Sequence, residues 1–119
     1  MRLLILAAAA VLLLLQVSAA GAARRELING WNPIKDVSDP YVVNIAKFAV
    51  QIHNDKAKTG LVLEKVVRGE TQVVSGTNYR LVIQVKDGAE TKSYEAIVFD
   101  KPWDYVRRLT SFKPLLGNA

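Results

Sequence analysis

The stretch Gln72-Val73-Val74-Ser75-Gly76 lies between two runs that read as β-strands, 61–71 and 78–86. A short connection between two such runs is a hairpin. Hairpin tips facing water are normally built from turn formers such as Asn-Gly or Asp-Gly. This one ends in Ser75-Gly76 but carries two valines into the bend. Valine is apolar and stiff at χ1, so Val73 and Val74 make a rigid greasy point. Burying them in a partner would be worth roughly 1.5–3 kcal/mol each. Gly76 can adopt φ > 0 and let the chain fold back without strain. The competing reading is a strand end whose valines fall back into the protein's own core.

Outward from that hairpin the pattern changes. Upstream, Pro40 follows Ser38 and Asp39, either of which can cap a helix. At 100° per residue over 41–56, Val42, Ile45, Ala46, Ala49, Ile52 and His53 share one face. Val43, Val50 and Phe48 flank it, while Asn44, Lys47, Gln51, Asn54, Asp55 and Lys58 lie opposite. This is an amphipathic helix of about four turns, with Thr59-Gly60 as its stop. Downstream the period becomes 2. In 61–71 the alternation is untidy, and an irregularity is expected near Gly69. In 78–86, Tyr79, Leu81, Ile83 and Val85 face one way and Arg80, Gln84 and Lys86 the other. Asp87-Gly88 signals a turn. A third strand covers 93–100, with Tyr94, Ala96 and Val98 on one face, and a last strand covers 105–114 with Leu109 and Phe112. One helix followed by consecutive strands reads as an α+β domain: an antiparallel meander with the helix across one face. In a meander alternate turns share an edge. The tips at 72–76 and 101–104 are therefore expected side by side, with Asp87-Gly88 at the other end.

Trp103 lies in that second tip, after Pro102, which stiffens the loop. Tryptophan is enriched among residues that dominate interfaces. Its alternative is a loop side chain folded back onto the sheet rim.

The 119 residues allow one small domain. Residues 1–23 read as a secretory signal peptide: a basic start at Arg2, an apolar run at 3–15, then small residues with cleavage between 20 and 23. The apolar run is too short to span a bilayer, which takes about 20 residues. A secreted protein, extracellular or vacuolar, is expected, with no membrane partner. Residues 24–119 form the domain, beginning with a flexible arm at 24–30 that carries Leu27, Ile28 and then Asn29-Gly30. The chain has no cysteine, which excludes thiol nucleophiles, redox pairs and Cys-based zinc sites. His53 is the only histidine and falls on the apolar helix face. With no nucleophile or ligand set beside it, it reads as a core or rim residue. An enzyme, a cofactor and a metal are not expected. The net charge of +5 is scattered, with Arg24-Arg25 and Arg107-Arg108 the densest clusters, and gives little support to nucleic-acid binding.

Together these pieces resemble the plant cystatins, inhibitors of papain-like cysteine proteases. Gln72-Val73-Val74-Ser75-Gly76 is similar to the family's Gln-x-Val-x-Gly first loop, Pro102-Trp103 to its second loop, and Ile45-Ala46-Lys47-Phe48-Ala49-Val50 to the helix signature of the plant branch. The resemblance runs over 27–116, in order and spacing. It implies a cystatin-like antiparallel sheet of four to five strands wrapped around one helix. It also implies a reversible, tight-binding inhibitor that wedges the arm and two loops into a protease active-site cleft, offering no bond for cleavage. Carried over by position, Gln72, Val73, Val74 and Ser75 fill the cleft at the first loop and Gly76 shapes it. Pro102 and Trp103 meet the primed-side wall, and Leu27, Ile28 and Gly30 belong to the arm. Asn29-Gly30 departs from the family's usual Gly-Gly; asparagine tolerates left-handed backbone, so the arm can still bend. A monomer is expected, with a strand-swapped dimer as the alternative, in the single-domain form that lacks the extension some relatives use against legumain-type proteases. Both plant defence and control of the host's own proteases remain open. The competing class is a non-inhibitory secreted module on the same fold that recognises an acidic surface.

Overall fold

The computed structural model describes residues 30–116. The leader at 1–23 and the arm residues Leu27 and Ile28 lie outside them. After a two-residue strand, β1 (Asn32–Pro33), comes one helix, α1 (Pro40–Ala57). Four long strands follow: β2 (Val62–Val73), β3 (Thr77–Asp87), β4 (Glu90–Lys101) and β5 (Val106–Pro114). The sheet has five strands in the order β1-β2-β3-β4-β5, every neighbouring pair antiparallel. This is the meander read from the sequence, with β1 added at one edge.

Helix α1 starts where its chemistry says it should. The Asp39 carboxylate accepts the Tyr41 backbone N–H at 2.8 Å, and Pro40 occupies the first turn, where no donor is needed. Its end differs from the expectation. The left-handed residue is Lys58 (φ 57°), not Thr59 or Gly60, and its N–H bonds the Asn54 carbonyl. The reason is the Asn54 side chain. Its Oδ1 accepts from the Thr59 hydroxyl at 2.8 Å and the Leu61 N–H at 3.0 Å, and its Nδ2 donates to the Leu61 carbonyl at 2.9 Å. Asn54, assigned to the solvent face by periodicity, is thus the clamp that turns the chain from helix to sheet.

The apolar helix face lies on the sheet, and α1 reaches β2, β3, β4 and β5. Ile45, Ala46 and Ala49 are fully buried against Leu81, Ile83 and Val85 of β3 and Ala96 and Val98 of β4. Each large aliphatic side chain withdrawn from water contributes roughly 1.5–3 kcal/mol. A few such residues match the whole net stability of a small domain, about 5–15 kcal/mol. His53 stacks on Phe112 with ring centroids 4.0 Å apart and lies 5.9 Å from Tyr94, so it is part of the rim packing.

One irregularity of β2, between Val66 and Arg68, falls next to Gly69 as expected, and another lies between Leu63 and Lys65. Gly69 is in regular register with Leu81. Its lack of a side chain serves packing. A Cβ there would sit 2.6 Å from Leu81 Cδ2 and 2.9 Å from Ile34 Cδ1. Ile34 thus fills the space that Gly69 leaves. On the far side of the sheet, Val98 pairs with Leu109 and Ile97 with Ser111, leaving Thr110 as an extra residue whose hydroxyl donates to the Ile97 carbonyl at 3.0 Å. That bulge keeps both Leu109 and Phe112, three residues apart, packed on the core.

Gly69→Ala is expected to destabilise the domain by about 1–2 kcal/mol, because Leu81 is fully buried and cannot yield. Urea unfolding of the two proteins measures this.

Candidate functional site

Val73 pairs with Thr77 as the last rung of the β2–β3 hairpin, so the open turn is 74–76, two residues shorter at its start than the sequence suggests. The Val74 N–H bonds the Gly76 carbonyl at 3.0 Å. Ser75 and Gly76 both adopt positive φ, 54° and 133°. Gly76 is buried against the next strand. A Cβ on it would lie 2.6 Å from the Phe99 ring and 3.2 Å from the Asp100 carbonyl. Positive φ and close approach both demand glycine here. The valines do not fold back: Val73 is 66% exposed and Val74 48%. Gln72, half-buried, accepts a hydrogen bond from the Asn78 amide across the hairpin at 3.3 Å, so it braces the tip.

The β4–β5 connection is a single 3-10 turn, Pro102–Asp104. It is fastened at both ends. Lys101 Nζ lies 3.0 Å from the Asp104 carboxylate, and the Tyr105 N–H bonds the Pro102 carbonyl at 3.1 Å. Trp103 is 63% exposed, with the Lys101 ammonium 5.9 Å from its ring centre. Because Thr77 pairs with Asp100, the two tips emerge side by side from one edge of the sheet. The turn between Asp87 and Glu90 lies at the other end.

What holds the second tip to the helix is a buried charge. Asp100 is 3% exposed. Its Oδ2 accepts from the Tyr41 hydroxyl of α1, and its Oδ1 from Arg107 Nε of β5 at 2.8 Å. The Arg107 guanidinium also sits 5.6 Å from the Tyr41 ring centre. A buried carboxylate needs such partners to offset its lost hydration. The hydrogen bond to Asp100 holds the Tyr41 phenol above its usual pKa of 10.0, burial adding to the shift, and the same carboxylate raises the Arg107 guanidinium. Sequence reading passed over this cluster, treating Arg107 as part of a surface charge pair. The available signal was phase: Asp100 follows Tyr94, Ala96 and Val98 at even spacing, on the helix-facing side of β4.

Gly30 is the first described residue, half-buried at a bend. From it the chain runs into β1, whose Asn32 pairs with Thr71 and Pro33 with Glu70. Followed backwards, β1 points to the Val73 end of β2. Arg80 clamps this entry, stacking 4.1 Å from the Trp31 ring centre and bonding Glu70 at 2.8 Å. Leu27 and Ile28 are outside the described residues. Tyr105, which the sequence reading gave to the last strand, instead ends the second tip at 97% exposure. Among the described residues no group of three or more His, Asp or Glu stands together as a metal site.

A family model described as "Aspartic acid proteinase inhibitor" (SQAPI) matches residues 34–115. "Cysteine proteinase inhibitor 5" of Arabidopsis thaliana is 55% identical over 97 residues, 81% of this chain and 77% of its own. "Cysteine proteinase inhibitor 1" of Actinidia chinensis var. chinensis is 52% identical over 93 residues, 78% of this chain and 80% of its own. This chain belongs to the plant cystatin family. Members of the plant cystatin family are proteinase inhibitors, not enzymes. The cystatin fold also appears in the crystal structure of a salivary cystatin from the soft tick Ornithodoros moubata. At 21% identity, that structure superposes with a TM-score of 0.66 over 73% of this plant cystatin and 97% of its own chain.

Ionising Tyr41 beside Asp100 opposes two negative charges. Its folded pKa is raised, so its contribution is complete below pH 10.0 and is lost as pH rises through the folded value. The protein is expected to lose stability above pH 10, and Tyr41→Phe to lose less over that range. Thermal unfolding midpoints between pH 8 and pH 11 test this. At pH 7, Asp100→Ala is expected to cost about 2–4 kcal/mol in urea unfolding, since it leaves Arg107 and Tyr41 without their acceptor.

Proposed function

We propose that this plant cystatin is a reversible, tight-binding inhibitor of papain-like cysteine proteases that blocks the active-site cleft with its two hairpin tips and the preceding arm. The observation that carries the proposal is the exposure of Val73, Val74 and Trp103 side by side on one edge. Two apolar points, each held by strained or fastened backbone, lose little conformational freedom on docking, so their burial is converted efficiently into affinity. The names of the relatives, cysteine proteinase inhibitors, favour the same target class. In this reading Val73, Val74 and Ser75 enter the cleft, with Gln72 and Gly76 shaping them. Pro102 and Trp103 meet the primed side. The direction of β1 supports Gly30, Ile28 and Leu27 as a third contact. The leader pattern at 1–23 supports delivery through the secretory pathway.

A second target class has one observation in its favour, the family model's description as an aspartic acid proteinase inhibitor. Apolar protrusions do not by themselves choose between two cleft-bearing protease classes. A charge-led contact with an acidic surface is the remaining alternative; it would weaken with added salt, whereas apolar docking would persist.

Titration against active-site-calibrated papain is expected to give reversible one-to-one inhibition that persists in added salt, with trypsin unaffected. Pepsin, assayed in parallel, reports the aspartic class. Trp103→Asp and Gly76→Trp are each expected to raise the papain inhibition constant at least about tenfold, the loss of a dominant contact, with unchanged far-ultraviolet circular dichroism. Papain left fully active by excess folded protein overturns the reading. Inhibition of pepsin alone moves it to the aspartic class.

A further inference from the structure

We infer that Tyr105 is a second aromatic contact of the β4–β5 tip, acting beside Trp103 on the bound protease. The inference rests on the inhibitory reading above and adds a residue that the sequence motifs do not mark. Three observations meet at this side chain. First, its backbone is left-handed, with φ 55°. A bulky L-residue rarely adopts that conformation, and such outliers concentrate at functional sites because the surrounding structure must hold them there. The surroundings do hold it: the Tyr105 N–H bonds the Pro102 carbonyl at 3.1 Å and β5 begins at the next residue. Second, the ring is 97% exposed. Among the described residues its hydroxyl bonds nothing and its ring stacks on nothing, so the tyrosine contributes no packing to the fold. Third, it borders a shallow recess of about 350 Å³, shared with Asp100, Pro102, Val106 and Arg107.

A tyrosine that costs backbone strain and adds no internal contact is explained by what it touches outside. Tyrosine suits that task. It offers a large amphipathic area and has only two side-chain torsions to fix on binding. The recess beside it is lined by Pro102 and Val106 together with Asp100 and Arg107. An apolar side chain on the protease's primed-side rim would enter this recess and pack on the Tyr105 ring while Trp103 seats on the neighbouring wall. The second tip thus grips with two aromatic residues held at fixed backbone positions by the same 3-10 turn.

The test separates contact from architecture. Tyr105→Asn places at this position a residue that accepts the left-handed backbone; Tyr105→Gly does so without strain; Tyr105→Phe keeps the ring. Papain inhibition and thermal unfolding are measured for each, with Trp103→Ala as the reference for the tip. The expected result is an inhibition constant at least fivefold higher for Tyr105→Asn and Tyr105→Gly, carried by faster dissociation. Their unfolding midpoints are expected to be equal to or above that of the parent, and Tyr105→Phe is expected to stay within twofold of it. A change under fivefold for the Asn and Gly variants, while Trp103→Ala weakens inhibition, overturns the role of Tyr105 and leaves the inhibitory reading standing. Weakened inhibition with a lowered midpoint overturns it as well, since the residue would then act by holding the loop. Absence of papain inhibition by the parent protein is the distinct failure of the underlying reading.

Discussion

The arrangement of this protein depends on one buried carboxylate. Asp100 closes β4 at the point where the chain leaves the sheet for the second tip, and it is almost completely withdrawn from water. A charge in that position is costly unless its oxygens are engaged. Tyr41 of the helix and Arg107 of β5 engage them, so helix, β4 and β5 are joined at one atom cluster. The same residue pairs with Thr77, and its carbonyl lies against Gly76. The first tip is thereby fixed to the second through the backbone, while the side chain fixes the second to the helix. Removing the Asp100 side chain would loosen the second tip from the helix, while the backbone contact between the tips would remain.

That relation is what the proposed inhibition draws on. Separately, Val73 and Trp103 are exposed apolar side chains of the kind every protein carries. Together, on adjacent rigid turns at one edge, they form a shape. The backbone supports this: Ser75, Gly76 and Tyr105 hold positive φ at the two tips, and Pro102 restricts the second turn. The opposite turn, at Asp87 to Glu90, carries the Lys92–Asp87 ion pair and no large exposed apolar side chain. The turns at the two ends therefore differ in character, a division set by which residues occupy alternate turns of a meander; the exposed Val62, opposite Lys86, lies on β2 and not in the far turn.

Much of this was readable from residues alone. The helix declared itself through Asp39-Pro40 and its apolar arc, and the strands of β3 and β4 through evenly spaced apolar residues on one face, Tyr79, Leu81, Ile83 and Val85 in one and Tyr94, Ala96 and Val98 in the other. Adjacency of the tips followed from counting turns. The parts that escaped depend on contacts between distant residues. Lys58 rather than Gly60 ends the helix because Asn54 reaches Leu61, seven residues away. Gly69 is glycine because Leu81 and Ile34 occupy the space a side chain would need, which no local pattern in β2 reveals. Thr110 bulges so that Leu109 and Phe112 can both face the core. Asp100 reads as a strand-end charge until Tyr41, 59 residues upstream, is seen to approach it. Tyr105 extends the strand pattern by type and leaves it by backbone angle.

The central claim is that the edge bearing the two tips, together with the preceding arm, is the surface that meets a target protease. Amide hydrogen exchange of the protein alone and in a stoichiometric mixture with papain tests it most directly. The account predicts that slowed exchange is concentrated at 73–76 and 101–105. Exchange at 87–90 and along the outer face of the helix should be unchanged. Protection centred on the 87–90 turn or on the helix, with the two tips unaffected, would contradict it.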